Sequence, residues 1–281
     1  MSEGLTVSVV IPVHNGLPFL PETLASVLGQ TRPPDEVVVV ENGSTDGTGE
    51  WLAALGDPRV RVVTQPELVS PAQNWTTAVQ EASGDLVKLV CADDLLEPIT
   101  LAEQAQALAE HPDAVLVAAW RRVIDHDGRV VVARRGLGPL RGEISGEVAI
   151  KSCALRGVNA FGEAATVLFR REELQAAMPW DDSLPYVIDL DLYSRVAAGR
   201  KVVMLPRVHA SFRLSAGAWT RNLAGLQRDH FNRWVDRLVE RGVLELSGPE
   251  LVRARLMAAV QATARRAAYE YTLLASRLRR D

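Results

Sequence analysis

Short apolar, β-branched runs alternate along the chain with segments whose apolar positions recur every three or four residues. Thr6–Val13 (TVSVVIPV) is apolar almost throughout, not alternating, which predicts a strand buried on both faces. Leu20, Leu24, Val27 and Leu28 then recur at helical spacing, opened by a proline and closed near Gly29. The alternation continues with a strand over Glu36–Glu41, a helix through Trp51 and Leu55, and a strand over Arg61–Gln65. A helix over Pro71–Ala82, ended by Ser83-Gly84, leads to a strand over Leu86–Cys91. A helix from Ile99 to Glu110 and a fifth strand over Asp113–Trp120 follow. Strands separated by helices in this way imply βαβ crossovers and a mostly parallel sheet covered by helices on both faces.

Past Trp120 the pattern changes. Val123–Arg134 reads as a β-hairpin turning at Asp127-Gly128, and Gly136–Gly146, glycine-rich and broken by Pro139, reads as a loop. From Arg221 the pattern is helical to the end, interrupted near Gly242 and at Ser247-Gly248-Pro249. No solenoid-length period appears. The expected organisation is an α/β sheet domain, a region inserted after it, and a closing helical hairpin.

Composition adds exclusions. With 281 residues, 47% hydrophobic and 23% charged, the chain is an ordinary folded one. A net charge of −4 supplies no basic field, which argues against nucleic acid as partner. The charge is uneven, since residues 221–281 hold twelve arginines, no lysine and seven acids. Such a tail could contact anionic lipid at a membrane surface or a phosphorylated ligand, or simply be a solvated face with Arg–Glu pairs. Leu244, Leu251, Leu256 and Val260 would suit helix-to-helix association in a homo-oligomer. The two cysteines have no zinc-site spacing, and Cys91, at the end of an apolar run, reads as a buried free thiol. No signal-peptide pattern and no transmembrane segment is found, so a soluble, cytoplasmic protein is expected.

Open parallel sheets bind ligands beyond the carboxyl ends of their strands. Pro12, Val13, His14 and Asn15 follow the first strand, Glu41 to Gly47 the second, and Asp93 and Asp94 the fourth. Turns and helix caps also favour such residues, and one of Ser44, Thr45 and Asp46 reads as a cap of the next helix. Asp93-Asp94 is different, because adjacent carboxylates repel unless a cation or a set of donors compensates. Hard oxygen ligands without a His or Cys cluster point to Mg²⁺ or Mn²⁺, its shell completed by substrate phosphates. The ion would offset charge building on a diphosphate leaving group. Neither a P-loop nor a glycine-rich Rossmann turn is present.

The segments VSVVIPVHNG, VVVVENGSTDGT and NWTTAVQEASGDLVKLVCADDLLEP, in continuous order over about the first hundred residues, resemble the inverting, GT-A-fold family 2 glycosyltransferases. AATVLFRREEL and SLPYVIDLDLYSRVAAGRKVVMLP resemble later segments of that family. The resemblance implies transfer of a sugar from a nucleoside-diphosphate sugar to an acceptor hydroxyl, metal-assisted and with inversion. The acceptor would be a glycan, a lipid-linked molecule or a small molecule. The resemblance also implies that Pro12, Val13, Asn15 and Glu41 clasp base and ribose, that Asn74 lies in a helix beside the nucleotide, and that Asp93 is near the ribose with Asp94 as metal ligand. Residues 1–215 would then be a GT-A-type catalytic domain, with a nucleotide-binding half (1–120) and an acceptor-side half (121–215), followed by a C-terminal helical region (216–281).

Three departures stand out. Glu41 replaces the usual aspartate, Cys91 replaces an aspartate that often opens the metal motif, and Ser215 replaces a histidine that contacts metal or phosphate. His209 or Arg213 could substitute for that histidine, or water could complete the metal shell.

Direct displacement at the anomeric carbon needs a base for the acceptor hydroxyl. Asp191 and Arg195 are helical neighbours and read as an ion pair. Asp189 projects elsewhere and matches the family's catalytic aspartate. Ile188 stands where glutamate is common, and an apolar neighbour raises a carboxyl pKa by desolvation. Trp180, Asp181, Asp182 and Tyr186 are candidates for an acceptor groove, Glu163 for donor-sugar hydroxyls, while Lys88 reads as a paired lysine and His111, His126 and His230 as surface residues. Two other readings stay open. A non-catalytic nucleotide-sugar-binding relative would explain Cys91 and Ser215. A sugar-phosphate nucleotidylyltransferase would need a basic glycine-rich loop where Val13-His14-Asn15-Gly16 stands.

Overall fold

The computed structural model describes residues 4–214, 223 and 225–277. Ser215 lies outside the described residues. Strands β1 (Val7–Val13), β2 (Glu36–Glu41), β3 (Val60–Thr64) and β4 (Leu86–Leu89) form the first half of one sheet. Between them run helices α1 (Leu20–Leu28), α2 (Thr48–Ala54) and α3 (Pro71–Gln80). Every residue of β1 and β4 is buried, as a strand covered on both faces requires. α3 starts in a capping box, in which Ser70 Oγ accepts from the Gln73 N–H and Gln73 Oε1 from the Ser70 N–H.

The rest of the sheet comprises β5 (Leu95–Leu96), β6 (Ala114–Ile124), β7 (Val130–Arg135), β8 (Gly142–Ser145), β9 (Val167–Arg170) and β10 (Lys201–Arg213). Its order is β3-β2-β1-β4-β9-β6-β10-β5, with β7 on β6 and β8 on β10. β1, β2, β3 and β4 pair in parallel, as do β6 and β10. β9, however, enters antiparallel to both β4 and β6. The sheet is therefore parallel over most of its register but mixed at its middle, a detail apolar runs do not encode. Pro206 sits where the β10 register shifts, since proline has no N–H to give the ladder.

Two expectations change here. The fifth strand and the first arm of the hairpin are one continuous strand, β6, which turns through Asp125–Gly128 into β7. The stretch expected as a loop contains β8, antiparallel to Lys201–Met204 of β10.

Helices α4 (Thr100–Glu110), α5 (Gly146–Arg156), α6 (Arg171–Ala177), α7 (Ile188–Ala197), α8 (Gln227–Glu240) and α9 (Gly248–Arg277) complete the described fold. Two apolar cores result. One holds β1, β2 and β4 residues with α1, α2 and α4; the other holds α3, α5, α7 and α8 residues. α9 packs on α5 and α8. Gly157, which ends α5 at φ +66°, permits this docking, because a Cβ there would stand 2.6 Å from the Met257 carbonyl carbon. The expected association face is divided. Leu244 is buried and Leu251 packs against the core, whereas Leu256 is 61% exposed and Val260 47%. Among the described residues, no helix is long and apolar enough to cross a membrane.

Candidate active site

A cleft of about 650 Å³ opens beyond the carboxyl ends of β1 and β4 and reaches the first turn of α7. Pro12, Asn15, Asp93, Asp94 and Asp189 all line it. Residues from three distant parts of the sequence thus face one space, as the strand-end rule predicts.

The loops after β1 and β2 hold each other. Asn15 takes φ +53°, a conformation its short amide side chain tolerates. Its N–H donates to Ser44 Oγ (2.9 Å), and its Oδ1 accepts from the Thr45 N–H (2.8 Å). Asp46 accepts from the Thr48 N–H and the Leu17 N–H, both at 3.0 Å, so it supports the start of α2 and ties it to the β1 loop.

The chain turns sharply after β4, where the Asp94 N–H donates to Cys91 O at 3.1 Å. Asp94 is only 1% exposed. Its Oδ1 accepts from the Arg213 N–H (3.1 Å), while its buried Oδ2 has no hydrogen-bond partner. Burial, and then the Asp93 charge, push the Asp94 carboxyl well above the usual range. A buried orphan oxygen beside a second carboxylate is a defect that a cation would remove. These hard oxygen donors fit Mg²⁺ or Mn²⁺. Among the described residues no group of three or more His, Cys, Asp and Glu could hold a metal, so the protein alone would leave most of such a shell to other ligands.

Neither substitute for the Ser215 position faces the cleft. His209 is fully buried and pushed down to about 3 by burial and by Lys88 and Arg207, so it is neutral and makes no ion pair with Glu103, 3.2 Å away. Arg213 lies behind the Asp93-Asp94 turn, donating to Asp93 O (3.0 Å), His126 O (3.0 Å) and Glu22 Oε2 (2.6 Å). It braces the turn from behind.

Asp189 stands half-buried in the first turn of α7. Its Oδ1 accepts from the Leu190 N–H (2.7 Å), and its Oδ2 from Asn159 Nδ2 (3.0 Å). Burial pushes its pKa up to about 6, outweighing those hydrogen bonds and the Arg121 charge, all of which pull it down. Ile188, 3% exposed, is part of the apolar packing beside it. Asp191 faces away and pairs with Arg195 at 3.0 Å, as its helical spacing implies. Glu163 lines the cleft as an ion-pair partner of buried Arg121.

Three expected site residues do not line the cleft. Val13 is 1% exposed, because alternation along β1 turns it into the core next to Pro12. Glu41 is 5% exposed, and its two carboxylate oxygens accept from the Gly43 (3.2 Å) and Ser44 (2.6 Å) N–H groups. Its longer side chain curls back onto its own turn. Asn74, 4% exposed, sits on the inner side of α3 with an unpartnered Oδ1, and its neighbour Trp75 reaches the cleft instead. Trp180 belongs to the core, edge-on to Trp75 at 4.9 Å, while Tyr186 lines the cleft. Lys88 is fully buried and donates to Gln104 (2.8 Å). His230 is also buried, against the surface position expected, and accepts from the Tyr186 N–H at 3.3 Å. Trp75, Asn159, Phe231 and Arg265 were not foreseen as cleft residues. Only the asparagine between Val158 and Ala160, polar in an apolar stretch, left a sequence signal.

Comparison with known proteins bears on the family and the fold. The model of glycosyl transferase family 2 matches residues 8–172. GlyG, a glycosyltransferase of Streptococcus pneumoniae serotype 4, is 30% identical over 124 residues, which cover 43% of this chain and 41% of that protein. Among solved structures, S. aureus TarS with UDP-GlcNAc superposes with a TM-score of 0.65 at 18% identity, over 82% of this chain and 66% of that one. The mannosyltransferase PcManGT of Pyrobaculum calidifontis, solved with GDP-Man and Mn²⁺, gives 0.62 at 20% identity, over 99% and 81%. The two structures share the GT-A-type fold with this chain. The chain thus spans less than half of GlyG and just under two thirds of the TarS chain. With a family match over more than half its length, on a fold of the same kind, the chain belongs to glycosyl transferase family 2.

Proposed function

We propose that the chain transfers a sugar from a nucleoside-diphosphate sugar to an acceptor hydroxyl, with inversion at the anomeric carbon and Asp189 as the base. The observation that carries this reading is a carboxyl raised to about 6 in the same cleft as the Asp93-Asp94 turn. At neutral pH such a group is mostly ionised yet still basic enough to take a proton as the new bond forms. The Leu190 N–H and Asn159 Nδ2 occupy both carboxylate oxygens and fix the side chain's direction. A base so held on one side of the anomeric carbon, with the diphosphate leaving on the other, gives inversion.

The nucleoside would lie against Pro12 and Asn15 with Asp93 beside the ribose, and Val13, Glu41 and Asn74 would support that wall from behind. Asp94 would hold Mn²⁺ or Mg²⁺, which when bound offsets the negative charge of the departing diphosphate. The ligands of the two similar structures, UDP-GlcNAc and GDP-Man, support a nucleotide sugar as substrate class. Residues 1–215 form the catalytic unit in this reading, followed by a C-terminal helical region over 216–281. A reducing cytoplasm suits the free thiols of Cys91 and Cys153.

The test pairs donor binding by calorimetry with release of nucleoside diphosphate. Asp189→Asn should leave donor affinity nearly unchanged while turnover falls by ~10²-fold or more. Equal turnover removes Asp189 from the base role, and lost donor binding moves it to the donor site. A wild type that binds the donor and turns over with no acceptor is the binding-module alternative.

A further inference from the structure

A second cleft of about 520 Å³ adjoins the first, and Asn159 and Arg265 line both. Its wall carries five guanidinium groups, Arg134, Arg135, Arg141, Arg156 and Arg265, around the face of Trp120. No Asp or Glu lines it among the described residues. The five arginines come from three separate parts of the chain, namely the β7–β8 segment, the end of α5, and α9. Two glycines let them converge. Gly138, at φ +64°, lies so close to the Arg156 guanidinium that a Cβ would overlap it, and Gly157 lets α9 approach and deliver Arg265.

Four of these arginines contact rings or carbonyls. Arg134 and Arg141 lie over the Trp120 ring, 4.2 and 4.7 Å from its centroid. Arg141 donates to Gly138 O (2.7 Å) and Leu140 O (2.6 Å), and Arg156 to Leu137 O (3.2 Å). Arg265 lies 5.4 Å from the Tyr186 ring, and its buried Nε has no hydrogen-bond partner. A guanidinium offers five N–H donors in a planar fork, so Arg134, Arg141, Arg156 and Arg265 keep donors beyond these contacts. The field reaches neighbouring groups, since burial and the charges of Arg135 and Arg265 hold buried Arg121 down to about 9. Like charges gathered where no carboxylate lines the wall repel, and arginine forks match pairs of phosphate oxygens.

We propose that this arginine-lined cleft binds a phosphate group of the acceptor, a phosphomonoester or phosphodiester, and so presents the acceptor's hydroxyl to Asp189 past Asn159. The word acceptor rests on the transfer reading above; the phosphate site itself does not. Five cations suit a chain of phosphodiesters better than a single charge, because successive phosphates can each take a fork. Such a ligand would bind more weakly as salt rises.

The test titrates the full chain with a short glycerol phosphate oligomer, with its dephosphorylated polyol, and with phosphatidylcholine vesicles containing or lacking phosphatidate. The variant is Arg134→Gln/Arg141→Gln, both exposed positions, with Arg59→Gln near β3 as a control for lost charge. The expected result is salt-sensitive binding of the oligomer but not of the polyol, weakened by about tenfold or more in the double variant and not in Arg59→Gln. UDP and GDP binding should be unchanged. Binding of phosphatidate vesicles in place of the oligomer, lost in the double variant, would support the same phosphate site with a lipid as its source. Binding of neither probe, or equal binding by wild type and double variant, overturns the proposal. An equal loss of UDP or GDP affinity also overturns it, by giving the cleft to the donor. If wild type binds no nucleoside diphosphate at all, the transfer reading fails while the oligomer result stands separately.

Discussion

Asn159 donates through Nδ2 to Asp189 Oδ2 at 3.0 Å and through the same nitrogen to Gly162 O at 2.7 Å. The Gly162 N–H returns a bond to Asn159 Oδ1 (3.2 Å), so the amide is fixed before it meets the carboxylate. A donor to an ionised carboxylate favours the ionised form.

Asn159→Ala should therefore push the Asp189 pKa further above its value of about 6. Turnover needs the ionised carboxylate, so the rate falls as pH drops through that value. The acid limb of kcat/KM should move to higher pH by roughly one unit in the variant. Stability runs in the opposite sense. A folded-state pKa above the unfolded one means that the contribution of Asp189 to stability diminishes as pH rises through about 6. A pH–rate profile with an unmoved acid limb would remove Asn159 as the group that positions Asp189.

The orphan Oδ2 of Asp94 gives a second expectation. Asp94→Asn keeps the acceptor for the Arg213 N–H and removes a charge whose burial is unfavourable. In chelator the variant should melt no lower than wild type, while UDP and GDP binding should lose its dependence on Mn²⁺. Calorimetry with and without Mn²⁺ reads the second part. The same metal-dependent affinity in both proteins would show that Asp94 is not the ligand.

The sheet's first half was legible because its signal is local. Residues 6–13, 37–40 and 86–91 are mostly apolar runs, and the polar residues after them emerge at one edge. The place of Asp189 in the cleft was legible through contrast with Asp191, whose partner Arg195 lies one helical turn away. The antiparallel entry of β9 and the strand β8 were not legible, because register depends on partners far off in sequence. Asn159 and the arginine cleft were hidden for the same reason. Arg134, Arg156 and Arg265 meet only after α9 docks at Gly157. Glu41 illustrates a different limit, since position predicted a ligand-facing acid while one extra methylene let it bond its own turn.

That curl of Glu41 can be measured. Glu41→Ala leaves the Gly43 and Ser44 N–H groups without their acceptor, at a cost of about 1–3 kcal/mol. Ser44 and Thr45 also hold Asn15, so nucleoside binding should weaken together with the melting temperature. Denaturant unfolding and nucleoside titration check the two effects. Weakened binding at unchanged stability would mean that the carboxylate meets the base directly.

Asp191 and Asp189 lie two residues apart on α7, yet their substitutions should separate cleanly. Asp191 is 4% exposed and pairs with Arg195, which also donates to Ala177 O and to Pro179 O (2.9 Å). The pair thus ties α7 to the segment that follows α6. Asp191→Asn leaves the guanidinium without its counter-charge at a partly buried position, which should lower stability by about 1–3 kcal/mol. Turnover per folded molecule should stay close to wild type, because Asp191 faces away from the cleft. Asp189→Asn should do the reverse, keeping the fold while turnover collapses. Denaturant unfolding and turnover normalised to folded protein give both quantities for both variants. A collapse of normalised turnover in Asp191→Asn would place the base, or its support, on the other face of the helix.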